Sequence, residues 1–529
     1  MLDFLVEIVT SRIKQIDISE KEREKEANTS EDVESINVDV SFSEILNLLF
    51  EIKQEKDQIS KKMKKKISAI EVKMNNLFQN VTTSTEIEFD NIIVLAAAYC
   101  NLGYIYIYKQ ENYDVGKDHL VKCMELLKGK ELHRKAILIA IEVLIELSEV
   151  WKKLLQYENC VPLLDKAMEL YINYTKEEDE YPHPIDVEII ACGKDKTENS
   201  KIFLADLHFL TLDKIEELYR VVPRDKHKFV IYVHNLLTEL VTKREVPTEN
   251  KISLSWAKTS ADLCTYFLFH DRFIEAKVHL VAANYMIETY FSLVVMDEDS
   301  TEFFENRDNY SKVLAYTCKL WGIYGIRLLR SSKERLLQYK SDKSYEANNI
   351  KSESLAKSEE ELMIPLLFID LENELKNFFT PYNIDTYVSN LNEAKIVFTN
   401  ILRWFDSSKV YYTVERYFLN HVEIIIGISE AYKYYAYFQR SQNEQIKVVK
   451  QHIDVLKNAV STVHSKYNTV KEFLQVKKIN FKLAVAYSNL LDMRSEELDE
   501  LEEITDEMRM ETTQLIKNTI DNFNLFIDH

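Results

Sequence analysis

Large and small apolar residues recur along this chain on a helix-pair schedule, and that schedule leaves few folds open. The segment LSEVWKKLLQYENCVPLLDKAMELY sets Leu147, Ser148 and Trp151 on one helix and Cys160, Leu164 and Ala167 on the next. The segment LCTYFLFHDRFIEAKVHLVAANYMI repeats the order with Leu263, Cys264, Phe267, Ala276, Leu280 and Ala283. The step between small residues is the same in both, Ser148 to Cys160 and Cys264 to Ala276. This is tetratricopeptide phasing. One such unit cannot bury its own apolar face. It must stack on neighbours, and stacked helix pairs offer a concave surface to another protein.

The spacing predicts an all-α chain of stacked antiparallel helix pairs. Only 7 Gly and 7 Pro among 529 residues agree, because tight βα and ββ turns need more of both. A further copy begins near residue 90, with Leu102, Gly103 and Tyr106 leading to Gly116, Leu120 and Cys123. Its small-to-small step is one residue longer, which predicts a stretched turn. A degraded copy runs from Ala205 to Val241 with Pro223 in its turn. Between copies, residues 174–200 carry two prolines and many charges and read as a loop.

The domain reading is a charged N-terminal helical region over 1–85, a repeat lobe over 86–335, a charged Ser-rich linker over 336–362 and a second helical lobe over 363–529. Helices are expected in that last lobe at about 364–380, 384–406, 410–440, 445–476, 477–497 and 500–527. Two of them hold repeat-like cores, Ile428, Ser429 and Tyr432, then Leu483, Ala484 and Tyr487. The basic run Lys61, Lys62, Lys64, Lys65 and Lys66 is either a solvated helix face or an import or acidic-surface signal.

The formal net charge of -20 argues against nucleic acid as the main ligand. It suits a basic protein partner, or plain solubility. Cys100, Cys123, Cys160, Cys192, Cys264 and Cys318 form no CxxC pair and read as reduced core thiols. The N-terminal stretch has acidic residues inside its apolar run, unlike a signal peptide. No stretch of ~18 uncharged apolar residues is expected, hence no membrane insertion. No phosphate-cradling glycine loop, HExxH or GxSxG occurs. His208, His234 and His279 read as packed or rim histidines. No catalytic, cofactor or metal constellation emerges, and the chain reads as a non-enzyme.

The segment HLVKCMELL after a Leu-Gly helix, the helix pair around SADLCTYFLFHDRFIEAKVHLVAANYMI with Trp256 before it, and NIDTYVSNLNEAKIVFTNILRWF with Asp385, Tyr387 and Val388 resemble the kinesin-binding protein family. ISEAYKYY and KLAVAYSNLLD follow in the same order, so the resemblance covers about 90–527. It implies a right-handed α-solenoid of two lobes joined by a linker. It also implies that the chain binds kinesin motor domains on their microtubule-gripping face and blocks microtubule attachment. A cytoplasmic, cytoskeleton-associated place and a role in axon growth and mitochondrial distribution come with it. Ile215, Leu218 and Leu240 depart from the polar or aromatic residues expected in the third repeat.

Phasing also places a groove. Positions one, four and five past the small residue of the first helix of a pair face away from its partner helix. They are Tyr104, Ile107 and Tyr108, then Glu149, Lys152 and Lys153, then Thr265, Leu268 and Phe269, with Leu218 from the degraded copy. Each is a partner contact or a core residue of an irregular stack. The alternative use is a scaffold or co-chaperone adaptor gripping peptide tails. A carboxylate clamp would need clustered Lys, Arg and Asn there, and only Lys152 and Lys153 are adjacent.

Overall fold

The computed structural model describes residues 37–55, 59–83, 88–176, 181–191, 200–242, 252–295, 303–345, 365–371, 375, 387–463, 466–499 and 505–527. Within them the fold is all-α and solenoid-like, and it divides into two compact units, Met1–Leu236 and Leu237–His529. The first unit holds α1 (Val40–Gln54), α2 (Lys61–Thr83), α3 (Phe89–Tyr104), α4 (Tyr113–Leu127), α5 (Ile137–Lys153), α6 (Tyr157–Tyr174), a short α7 (Val187–Ala191) and α8 (Ser200–Leu218). Helix α9 (His227–Thr242) runs across the division. The second unit holds α10 (Ile252–Phe269), α11 (Phe273–Tyr290), α12 (Phe303–Tyr345), α13 (Leu391–Tyr411), α14 (Phe418–Tyr437), α15 (Gln442–Val463), α16 (Val470–Asp499) and α17 (Asp506–Ile527).

In the first unit α3 pairs with α4 and α5 with α6, and α1 lies on α3. The repeat positions are the core: Leu147, Ser148, Cys160, Leu164 and Ala167 are buried, as are Leu102, Leu120 and Cys123. The small residues are where paired helices touch. A Cβ on Gly103 would lie 2.6 Å from a Leu120 methyl, and one on Gly116 would lie 3.1 Å from the Gly103 carbonyl. The Cys160 thiol, 3.2 Å from the Ser148 carbonyl, marks the same crossing in the next pair.

The extra residue of the first copy is not in its turn. The turns of the three clearest copies each put one residue in the left-handed region: Glu111 at φ 53°, Leu155 at φ 59° and Asp271 at φ 53°. Each stands five residues before the small residue of the following helix, Gly116, Cys160 or Ala276. The turns are therefore alike. The surplus is taken up inside the preceding helix, where Ile105–Lys109 forms a π turn. The closing hydrogen bonds agree. Gln156 and Arg272 donate to the carbonyls of Trp151 and Phe267, whereas Asn112 reaches one residue further back, to Tyr106.

Three other expectations change. Residues 91–108 carry no charge, and Phe89–Lys109 and Phe273–Val295 are long and apolar enough to cross a membrane. Both pack against neighbouring helices of the stacks, with 78% and 50% of their most apolar stretches buried. The loop expected over 174–200 contains α7, started by the Asp186 carboxylate accepting from the Ile189 amide at 3.1 Å and anchored by buried Ile185 and Val187. The stretch expected as a linker starts as helix: residues 336–345 end α12, and 346–362 lie outside the described residues. Helix α12 packs on α10 and α11 and also on α13 and α14.

Helix boundaries in the second unit follow local caps. Thr469 and Glu472 form a capping box. The Thr469 hydroxyl accepts from the Glu472 amide at 3.2 Å, and the Glu472 carboxylate accepts from the Thr469 amide at 3.0 Å. It starts α16 at Val470, where periodicity placed one helix over 445–476. Asn390 caps α13 in the same way, accepting from the Glu393 amide at 3.1 Å. Phe405 of α13 lies between two glycines of its neighbours. A Cβ on Gly322 of α12 would lie 2.5 Å from its ring, and one on Gly427 of α14 would lie 2.7 Å away. Cys100, Cys123, Cys160, Cys264 and Cys318 are buried free thiols, and Cys192 lies outside the described residues.

Candidate protein-binding surface

The first unit concentrates carboxylates along one face of α5. Glu142, Glu146 and Glu149 follow one another at helix spacing, four and then three residues apart, with Lys153 next and exposed. The π turn brings two aromatic rings to this face. The Tyr104 and Tyr108 ring centroids are 4.5 Å apart, and the Tyr108 hydroxyl lies against the Glu146 carboxylate. Burial and that neighbouring charge push the Tyr108 phenol well above its ordinary range. Lys53 from α1 stands 5.4 Å from the Tyr104 ring and 3.0 Å from Glu142.

Several groups here ionise only at a cost. Burial, then repulsion from Glu142, pushes the Glu146 carboxyl up to about 7. Glu188 on α7 is pushed up to about 8 by burial, with Glu142 and Asp186 adding to the rise against the pull of Lys53. Burial works against the Lys53 ammonium, but Glu142 and Glu188 more than offset it and hold it charged. Further along, Glu149 pairs with Lys214 at 2.6 Å and Lys152 at 3.5 Å, and Lys152 also pairs with Glu217.

The expected groove residues separate into two kinds. Tyr104, Glu149, Lys152 and Thr265 are half-buried, and Tyr108, Lys153 and Phe269 are exposed, Phe269 at 73%. Ile107, Leu218 and Leu268 are 1%, 4% and 2% exposed and present no side chain to solvent. For Ile107 the cause is the π turn. Counted back from the left-handed residue, it takes the place of Trp151 and Phe267, and it packs on Gly116. Leu218 lines a small cleft beneath Glu149, Lys152 and Lys214. Thr265, Leu268 and Phe269 belong to the second unit; there Thr265 donates to the Asp262 carbonyl at 2.9 Å. Lys152, the better candidate for a carboxylate clamp, is engaged by Glu149 and Glu217.

Lys53, Glu142, Glu146, Asp186 and Glu188 were not singled out from the sequence. The spacing of Glu142, Glu146 and Glu149 was legible there. Nothing in the sequence joins Asp186 and Glu188 to them, because they reach α5 from a segment more than thirty residues on. His208, His234 and His279 are all buried, as packed histidines would be. His208 stacks on Tyr171 at 3.7 Å, bonds the Tyr232 hydroxyl at 2.8 Å, and is driven down to about 3 by burial. His279 is buried with Nδ1 2.8 Å from the Glu275 carbonyl.

The chain is similar to the KIF-binding proteins of Danio rerio (21% identical over 443 residues, 82% of this chain and 68% of the relative) and Gallus gallus (23% over 434 residues, 79% and 69%). That of Drosophila melanogaster is 24% identical over 383 residues, covering 69% of this chain and 59% of the relative. No solved structure matches. The family model described as KIF-1 binding protein C terminal matches residues 254–529, more than half of the sequence, so the chain belongs to the KIF-binding protein family.

Proposed function

We propose that this protein binds kinesin motor domains through the acidic face of its first unit and keeps them off microtubules. Membership of a family whose relatives are named for KIF binding is the observation that carries the reading. The surface chemistry supports it. A motor must grip an acidic track with a basic face, and half-dehydrated carboxylates such as Glu142 and Glu149 attract such a face more strongly than the same charges in water. Tyr104 and Tyr108 supply the rigid aromatic contact that interface centres favour. Masking the gripping face would inhibit by mass action alone and needs no chemistry on the motor. Such a protein would act in the cytoplasm beside the cytoskeleton, with microtubule-borne organelles as the affected cargo.

The test is co-sedimentation of a panel of kinesin motor domains with microtubules, with and without the protein, at two salt concentrations. One or more motors should leave the pellet in a soluble complex, less completely at high salt. If every motor stays on the microtubules and none binds the protein, the reading fails.

A further inference from the structure

A cleft of about 200 Å³ opens beside the acidic face, between α1, α5 and α7. Its walls carry three carboxylates, Glu142, Asp186 and Glu188, against one ammonium, Lys53. Phe50, Leu138, Ile139 and Phe203 supply apolar wall. Lys53 is 3.0 Å from Glu142 and 3.9 Å from Glu188, so a single cation is shared between two acids. Oε1 of Glu188 makes no hydrogen bond. Asn101, fully buried on α3, has its side chain beside the Glu188 carboxylate, and its amide oxygen is likewise unbonded. Buried polar atoms are normally satisfied, and leaving them open costs free energy. The site is thus short of positive charge and of hydrogen-bond donors in one place.

We propose that this cleft receives one arginine side chain of a protein partner, its guanidinium held by Glu142 and Glu188 and its stem lying along the apolar wall. The proposal rests on the reading of the acidic face as the partner surface, and it names what that surface recognises. Arginine fits better than lysine. Its planar fork can serve two carboxylates at once, and it is more weakly hydrated, so entering a half-dry cleft costs it less. A metal ion is the poorer match: among the described residues no group of three or more His, Cys, Asp or Glu is placed to hold one.

The experiment is calorimetric titration of the full chain with an acetylated, amidated tri-arginine peptide, with tri-lysine as the comparison. Two variants accompany the natural chain. Glu188→Gln removes a wall carboxyl that can ionise, and Gln54→Trp fills the mouth from an exposed position while keeping every wall carboxyl. Tri-arginine should bind more tightly than tri-lysine, and each variant should weaken it by on the order of tenfold or more. A motor domain that binds the natural chain should lose affinity for both variants in parallel. Equal binding of the two peptides, no tri-arginine binding, or unchanged tri-arginine binding by both variants overturns the proposal. Motor domains that bind the natural chain and both variants equally overturn it too, while the kinesin reading stands. If tri-arginine binds and the variants weaken it but no motor binds, the cleft stands and the kinesin reading falls.

Discussion

Replacing Glu188 by glutamine should make the first unit more stable, and the size of the gain follows from the surroundings of that carboxyl. Glu188 faces Lys53 from α1, Asn101 from α3, Glu142 from α5 and Asp186 in its own segment. Burial and the two acids outweigh Lys53 and raise it from the model-peptide value of 4.5 to about 8. A carboxyl raised in the folded state favours folding only while it is protonated. Its contribution is whole below pH ~4.5 and is lost as pH climbs through ~8. At ~1.36 kcal/mol per unit, holding Glu188 in place costs about 1 kcal/mol at pH 5, about 3 at pH 7 and close to 5 at pH 9. Glutamine keeps the shape without the charge, and its amide can donate to the unbonded Asn101 oxygen. Lys53 retains Glu142.

The chain has two compact units, so one global melting curve would blend their transitions. Hydrogen exchange of α5 and α6 reads the affected unit directly. Glu188→Gln should slow exchange there by about a hundredfold at pH 7, and by only several-fold at pH 5, after correction for intrinsic rates. His208 is neutral in the fold and titrates in the unfolded chain, but it is common to both proteins and cancels in the difference. If the variant is no more stable than the natural chain at pH 8, or if its gain does not change between pH 5 and 8, Glu188 is not an uncompensated buried charge and the reasoning is wrong.

Two further outcomes test the packing and the caps. Gly427→Ala should lower the stability of the second unit although alanine is the better helix former by about 1 kcal/mol, because its Cβ would meet the Phe405 ring. In a Phe405→Leu background the same change should turn neutral or favourable, and equal effects in both backgrounds in urea titrations would remove the explanation. Thr469→Val should cost about 1 kcal/mol and speed hydrogen exchange mainly in the first turn of α16, since it deletes the hydroxyl that caps the Glu472 amide.

What the sequence discloses here is whatever repeats or acts locally. The order of small and large residues foretells the helix pairs, and Ser148, Cys160, Cys264 and Ala276 lie buried in the core. The extra residue between Gly103 and Gly116 was countable, but its location was not. A turn and a helix can each absorb one residue, and only hydrogen bonding decides between them. That choice carries Ile107 inward and leaves Tyr104 and Tyr108 together on the face of α5. The Thr469–Glu472 box was written in the sequence as T-x-x-E, yet unbroken apolar periodicity across 445–476 concealed it. The acidic cleft is hidden for another reason. Its charges come from α1, α5, α7 and the residue just before α7, and no spacing rule relates residues whose neighbourhood exists only after the stack has formed.

The two consequences expected of Glu188→Gln pull in opposite directions, and that opposition is what separates a binding site from a structural flaw. A buried charge kept only for packing or for a specific fold would, on removal, change stability and leave partner affinity alone. A carboxyl kept for an incoming guanidinium leaves the free protein less stable than it need be, because it must hold a proton or a buried charge, and the deficit is recovered when the guest arrives and ionises it. Stability and affinity must then trade against each other at this one residue. The trade should be local as well. Glu146 is pushed up to about 7 on the same helix but does not line the cleft. Glu146→Gln should therefore stabilise the first unit as Glu188→Gln does, without the loss of tri-arginine binding.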